Sequence, residues 1–164
     1  MQFEAPSGYP LGTNKTFKIA ATFLIPLLTI LTKRDWRGAK NIPKSGPVIV
    51  ISNHVSYADA LVFAHYLYGN GRAVRYLGKD SVFRIPILGK IILSSGQIPV
   101  ARESDKASHA LDSALGLLEA GHCVGIYPEG TLTRDENLWP MVAKTGIARL
   151  AIVSKAPVIP VAQW

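Results

Sequence analysis

His54 lies in the run SNHVSYAD, with Asp59 five residues after it and Ser56 between them. A carboxylate brought against an imidazole fixes its tautomer and makes the free nitrogen a better general base, so this pair is a candidate proton-transfer dyad. The same residues have a plain structural reading, because Ser56 and Asp59 keep the S-x-x-D spacing of a helix capping box. Asp59 can do both jobs. Ser56 beside His54 also raises a serine nucleophile, but its neighbours are Val55 and Tyr57 rather than the glycines of a hydrolase elbow, which favours a helix cap. His65 and His109 fall inside expected helices and His122 in an expected turn. None has an acidic partner at a comparable spacing, and all three read as structural or solvated.

A second polar cluster, YPEGTLTR, begins at Tyr127. Gly130 permits close backbone approach, Thr131 and Thr133 offer hydroxyls, and Arg134 is a planar donor suited to a phosphate or carboxylate. Glu129 can orient a substrate hydroxyl or pair with Arg134; the alternative is an ordinary surface turn. Arg102 and Lys79 are further candidate phosphate contacts, each of which could equally be an exposed strand-end base. Cys123 is the one cysteine. It excludes an intrachain disulfide and a Cys-rich zinc site, and is most simply a small core residue.

The elements that must position these clusters alternate between strands and helices. Val48 to Ile51 is a buried strand by length and β-branching, followed by a helix from Ser56 to about Tyr68. A strand near Ala73 to Leu77 precedes a mixed apolar and basic stretch, Asp80 to Leu93, and a strand near Gln97 to Ala101. An amphipathic helix from about Asp105 to Glu119 carries Ala107, Leu111, Ala114, Leu115 and Leu118 on one face. A strand at Cys123 to Tyr127, a helix near Val142 to Ser154 and a strand near Val158 to Ala162 complete the order. This pattern predicts an α/β fold with a largely parallel central sheet and helices on both faces, and ligands at the carboxyl ends of its strands. Both polar clusters follow such strands.

In front of this domain, Ile19 to Thr32 carries no charge over 14 residues and is flanked by Lys15, Lys18, Lys33 and Arg34. At about 1.5 Å per residue it is too short for a ~30 Å hydrocarbon core, and Pro26 would kink it. It reads as an N-terminal membrane-contacting helix rather than a span. A signal peptide lacks its small-residue cleavage site here, and a buried core helix is the remaining alternative. Lys33, Arg34, Arg37, Lys40 and Lys44, with Trp36 among them, suit an anionic lipid surface; a solvated basic linker is the plainer reading. Residues 1–35 are therefore assigned to a membrane-associating segment and 36–164 to the α/β domain. The chain stops after its last strand without a closing helix, so that domain is expected to be incomplete at its C-terminus.

The 164 residues fit one domain, and 48% hydrophobic against 18% charged residues exclude disorder as the default. Eighteen Lys and Arg against eleven Asp and Glu give a net charge of +7, which favours an anionic partner. No nucleic-acid-binding pattern accompanies the charge, so nucleic acid is set aside in favour of a membrane surface or a phosphorylated substrate.

Four blocks in order carry a resemblance. NHVSYAD matches the N-H-x-x-x-x-D signature of glycerolipid acyltransferases, and YPEGT their E-G-T motif. GQIPVAR resembles the second block and VIPVAQW the last. Over residues 48 to 164 the chain resembles the 1-acylglycerol-3-phosphate acyltransferases of the PlsC type. The resemblance implies a fatty acyl group moving from acyl-CoA or acyl-carrier protein, as co-substrate, to the hydroxyl of 1-acylglycerol 3-phosphate, giving phosphatidate in phospholipid biosynthesis. It implies His54 as the base, Asp59 as its orienting partner, and neither a metal, another cofactor nor a covalent acyl-enzyme. Arg102, Glu129, Gly130, Thr131 and Arg134 would hold the head group of a lysophosphatidate-like acceptor, and the acyl chain would lie near the apolar N-terminal region. The protein is then expected at a membrane, on the cytoplasmic face of the plasma membrane. The alternatives are acylation of glycerol 3-phosphate or another lysolipid, and a noncatalytic anionic-lipid-binding module of the same fold. One departure stands out: Leu132 follows the E-G-T threonine where the family commonly has Arg, and Arg134 comes two residues later.

Overall fold

The computed structural model describes residues 10–100 and 104–164. Its elements are, in order, α1 (Lys15–Leu31), β1 (Val48–Ser52), α2 (Asp59–Gly69), β2 (Val74–Lys79), α3 (Asp80–Phe83), α4 (Leu88–Ser94), β3 (Ile98–Val100), α5 (Ser104–Glu119), β4 (Cys123–Ile126), α6 (Gly146–Ser154) and β5 (Val158–Val161). The five strands form one sheet in the order β3-β2-β4-β1-β5. Every pairing in it is parallel.

A parallel sheet is buried on both faces, which is why β1 and β4 read as unbroken apolar runs rather than alternating ones. Successive side chains of β1 serve opposite layers. Ile49 and Ile51 join Val124, Ile126, Ala114, Leu118 and Leu150, the layer under α5 and α6. Val48 and Val50 join Phe63, Leu67, Val74 and Cys123, the layer under α2. Helices therefore cover both faces, as the alternation of elements requires. Val48, Ile49 and Val50 are 0% exposed, and each such side chain is worth roughly 1.5–3 kcal/mol of burial. Gly125 sits opposite Tyr76 in the ladder, and a Cβ there would come within 2.5 Å of the Tyr76 ring. Only glycine lets that ring lie across β4.

Several boundaries differ from the sequence pattern. The helix expected from Ser56 starts at Asp59, because the Asp59 carboxylate gathers the amides of Val55 and Ser56 into a turn ahead of it. The helix expected from Val142 starts at Gly146: the Lys144 amide donates to the Pro128 carbonyl, which keeps that segment in the loop after β4. The strand expected to stop near Leu77 runs on to Lys79, paired with β3. α1 is longer than its apolar run and continues through Pro26, whose missing N–H leaves the Thr22 carbonyl without its helical donor. Its N-cap is Asn14, which accepts from the Phe17 amide and donates to the Ser94 carbonyl. No helix among the described residues is long and apolar enough to cross a membrane.

Trp36, placed at a lipid interface by its basic neighbours in the sequence, packs one side onto α2 and remains 38% exposed. Its ring meets His65 and Tyr66 edge-on at 4.9 and 5.5 Å and lies over Gly69.

Candidate active site

Parallel pairing puts the ends of β1, β4 and β5 side by side, with Ile51 opposite Ile126 and Ser52 opposite Val161. The loops that follow these strands build the site. His54 comes two residues after β1 and Asp59 opens α2. The imidazole Nδ1 lies 3.0 Å from Asp59 Oδ2. That same oxygen accepts from the amides of Val55 at 2.6 Å and Ser56 at 2.8 Å. Asp59 is buried at 6% exposure, so backbone donors hold its position and it in turn holds the ring. Ser56 Oγ accepts from the Ala58 amide. The capping-box reading is corrected: the N-cap of α2 is Ala58, without a side-chain bond, and Ser56 and Asp59 instead close the turn ahead of the helix while the same carboxylate reaches the histidine. Nε2 of His54 has no hydrogen-bond partner among the described residues, and the side chain retains 19% of its exposure. That nitrogen is free for a proton.

Two contacts that sequence spacing could not reveal complete the setting of the ring. Tyr127, the first residue after β4, stacks on the imidazole with centroids 4.0 Å apart and planes 19° from parallel. Tyr76 stacks on Tyr127 in turn at 6.0 Å. Burial raises the pKa of both phenols, so both rings are neutral. On the other side of His54, Asn53 pairs with the backbone of Gln163: its Nδ2 donates to the Gln163 carbonyl at 2.6 Å and its Oδ1 accepts from the Gln163 amide at 2.8 Å. Gln163 Nε2 adds a bond to Ser52 Oγ at 2.9 Å. The segment after β5 is therefore tied to the residue next to His54. The only hint in the sequence was that both belonged to blocks of the resemblance.

The second cluster is brought against the first. The Glu129 carboxylate accepts from the His54 amide at 3.2 Å and the Met141 amide at 3.0 Å, and is 5% exposed. It acts here as a brace between loops, with no pairing to Arg134 among the described residues. The Thr133 amide donates to the His54 carbonyl at 2.7 Å. Gly130 has φ +70°, in the left-handed region, and a Cβ there would lie 2.7 Å from Lys144 Nζ. Its lack of a side chain admits both the turn and the lysine. Thr131 is partly buried in the same turn, and Arg134 is exposed. Neither Arg134 nor Lys144 forms a salt bridge among the described residues. Lys79 is exposed at the carboxyl end of β2, on the same edge of the sheet but two strands from β1. Arg102 lies outside the described residues.

The remaining histidines are apart from this site. His65 is buried against Trp36, and burial, then Arg34, lowers its pKa. His122 is buried at the amino-terminal edge of the sheet. Cys123 is buried, and burial pushes its thiol up to about 12, which makes it an inert core residue. A shallow groove of about 260 Å³ lies between α1 and the end of α2, lined by Ala21, Thr22, Ile25, Pro26 and Tyr68. Tyr68 is nine residues along α2 from Asp59, about 14 Å at the helical rise. The apolar N-terminal region thus offers a groove at the far end of α2 from His54.

Fold and site together define a parallel α/β domain with a carboxylate-oriented histidine at the carboxyl edge of its sheet. Comparison with known proteins narrows this class: the profile of the Acyltransferase family matches residues 33–164, and the chain belongs to that family. It is 32% identical over 125 residues to a 1-acyl-sn-glycerol-3-phosphate acyltransferase of Borreliella burgdorferi, covering 76% of this chain and 48% of the relative. It is 30% identical over 131 residues to a chloroplastic 1-acyl-sn-glycerol-3-phosphate acyltransferase of Brassica napus, covering 79% of this chain and 36% of the relative. The chain spans about half or less of the length of these two relatives. The crystal structure of the 1-acyl-sn-glycerophosphate acyltransferase PlsC from Thermotoga maritima shares the fold. Its TM-score is 0.69 at 23% identity, over 86% of this chain and 54% of that one.

Proposed function

We propose that the protein transfers a fatty acyl group from an acyl thioester, acyl-CoA or acyl-carrier protein, to the free hydroxyl of a lysophosphatidate-like acceptor, giving phosphatidate. The observation that carries this reading is the His54–Asp59 pair, its carboxylate fixed by two backbone amides and its Nε2 left open. Nε2 takes the proton of the acceptor hydroxyl as the oxygen attacks the thioester carbonyl. The C–S bond breaks as the new C–O bond is completed, and the imidazolium returns the proton to the departing thiolate. Asp59 stabilises that imidazolium and holds the tautomer. His54 is the catalytic residue in this scheme. Asp59 and Tyr127 are positioning residues, and Glu129 acts through the loop it braces. Gly130, Thr131, Arg134 and Lys79 lie on the edge of the sheet where a phosphate head group would be held, and Arg102 joins them by resemblance. The names of the curated relatives support lysophosphatidate as acceptor. A lipid acceptor also supports work at a membrane surface, with α1 and the basic residues after it as contacts and the cytoplasmic face of the plasma membrane as the site of action.

The test is thiol release from acyl-CoA by the purified full chain with lysophosphatidate, glycerol 3-phosphate or no acceptor, beside His54→Ala. Release that requires lysophosphatidate and falls by at least about 10²-fold in the variant is expected. Release with glycerol 3-phosphate alone would reassign the acceptor. Lipid binding retained in both proteins without any release would leave a lipid-binding module instead of an enzyme.

A further inference from the structure

β1 and β5 are paired through Ser52, which lies opposite Val161. Two residues further on, the same register would set His54 against Gln163, but the ladder does not continue. The His54 amide donates to the Glu129 carboxylate at 3.2 Å, and the His54 carbonyl accepts from the Thr133 amide at 2.7 Å. Both peptide groups of His54 are thus bound to the loop after β4, and those of Gln163 need another partner. Asn53 supplies it. A side-chain amide carries the donor and acceptor of a peptide group, and Asn53 spends both on one residue. Its Nδ2 donates to the Gln163 carbonyl at 2.6 Å and its Oδ1 accepts from the Gln163 amide at 2.8 Å. Gln163 closes the clamp from its own side, with Nε2 donating to Ser52 Oγ at 2.9 Å. Ser52 is buried at the last register pair of β1 and β5.

We infer that Asn53 is a positioning residue for His54. Its amide takes the place of the peptide pairing that β1 gives up when the main chain turns away, and so fixes the point at which His54 leaves the sheet. Asp59 orients the ring from the residues that follow His54, whereas Asn53 holds the main chain immediately before it to a neighbouring strand. With its carbonyl oxygen and one amide hydrogen bound to the Gln163 backbone, the Asn53 side chain is directed to β5 and not to the reacting hydroxyl. A displacement of the β1 exit would carry Nε2 with it, and misplacement by about 1 Å costs on the order of 10²-fold in rate. The inference deepens the proposed function and rests on it for the reaction that His54 performs.

Imidazole 15N spectra of the full chain read the ring without substrate, the His54 signals being those lost in His54→Ala. In the parent, Nδ1 facing Asp59 should be protonated and Nε2 bare, as two widely separated signals. Asn53→Ala should draw these signals together. The same variant should lower kcat with lysophosphatidate by about 10- to 100-fold and leave KM within about twofold. Asn53→Asp keeps an acceptor for the Gln163 amide but sets a carboxylate oxygen against the Gln163 carbonyl. It should lose kcat as well, and it carries the same measurements if the alanine variant does not fold. Unchanged imidazole signals in a folded variant would overturn the inference. With a raised KM they would make Asn53 a substrate contact, and with only a lower urea midpoint they would make it a support of β5. An unchanged kcat in both variants would overturn it too. Signals that converge in Asn53→Ala, in a protein whose parent shows no acceptor-dependent thiol release, would uphold the positioning of His54 and overturn the proposed reaction, so the two fail separately.

Discussion

Asp59 Oδ2 accepts three hydrogen bonds, two from backbone amides and one shared with His54, and so cannot turn away from the imidazole without breaking both amide bonds that shape the turn. Tyr127 adds the other constraint, a ring face 4.0 Å from the imidazole that leaves its plane little freedom. The aromatic face makes this contact, while the buried Tyr127 hydroxyl lies beside Tyr76 and Gln163. Tyr127→Phe should therefore keep kcat/KM within about twofold, whereas Tyr127→Leu, which removes the face, should lower it by about 10- to 100-fold. Steady-state kinetics of the two variants side by side check this. Equal losses in both would assign the effect to the hydroxyl, and no loss in the leucine variant would remove Tyr127 from the positioning of His54.

At the scale of elements, α1 is the part least explained by the core. Ala21 is its one buried residue, while Ile19, Phe23, Leu27, Ile30 and Leu31 are all more than half exposed. Residues 19, 23, 27, 30 and 31 recur at helical spacing, so they form a stripe rather than a scatter. Such a stripe is stable in water only at a cost that a lipid interface removes. Phe23→Ser with Ile30→Ser, both at exposed positions, should leave thermal unfolding unchanged and weaken binding to anionic vesicles about tenfold. Vesicle co-sedimentation reads the outcome, and unchanged binding would exclude α1 as a membrane contact. The loop after β4 shows the opposite relation of element to core. It has no regular structure from Tyr127 to Thr145 beyond turns, yet its amides and carbonyls are bound to His54, Glu129 and Pro128, which gives it a defined shape.

Across the whole molecule the positive charge is not all available to partners. Arg72 is 0% exposed, with its guanidinium donating to the carbonyls of Pro43, Gly46 and Gly121, and Arg75 is 3% exposed and donates to Gly12. Burial lowers the Arg75 pKa to about 10, still charged at neutral pH. His122 is buried beside these two arginines. Burial first, then Arg75 and Arg72, lower its pKa from 6.5 to about 4. A histidine depressed in the folded state is protonated sooner in the unfolded chain. Its neutral form therefore supports stability above pH 6.5, and that support is lost as pH falls towards 4. At about 1.4 kcal/mol per pKa unit the contribution is on the order of 3 kcal/mol. Urea unfolding across this range should show a steeper loss of stability in the wild type than in His122→Gln. Parallel curves would show that His122 is not held neutral by the fold.

The sequence by itself determined the layer architecture, because β-branched apolar runs alternating with an amphipathic helical pattern can bury both only as a parallel sheet between helices. It also offered His54 and Asp59, five residues apart across a strand-to-helix turn, as a candidate pair, and the structure brings them to 3.0 Å. Strand order was beyond it: β1 lies between β4 and β5, partners more than 70 residues away, and no local pattern records which strand pairs with which. From that order follow the features of the site that could not be read beforehand. Tyr127 lies on His54, Gln163 is bound to Asn53, and Glu129 braces two backbone amides, a contact that its spacing from Arg134 did not reveal. That Trp36 also packs against His65 and Tyr66 of α2 was equally beyond the sequence, since packing against a distant element is decided by the fold and not by the neighbours a residue has along the chain.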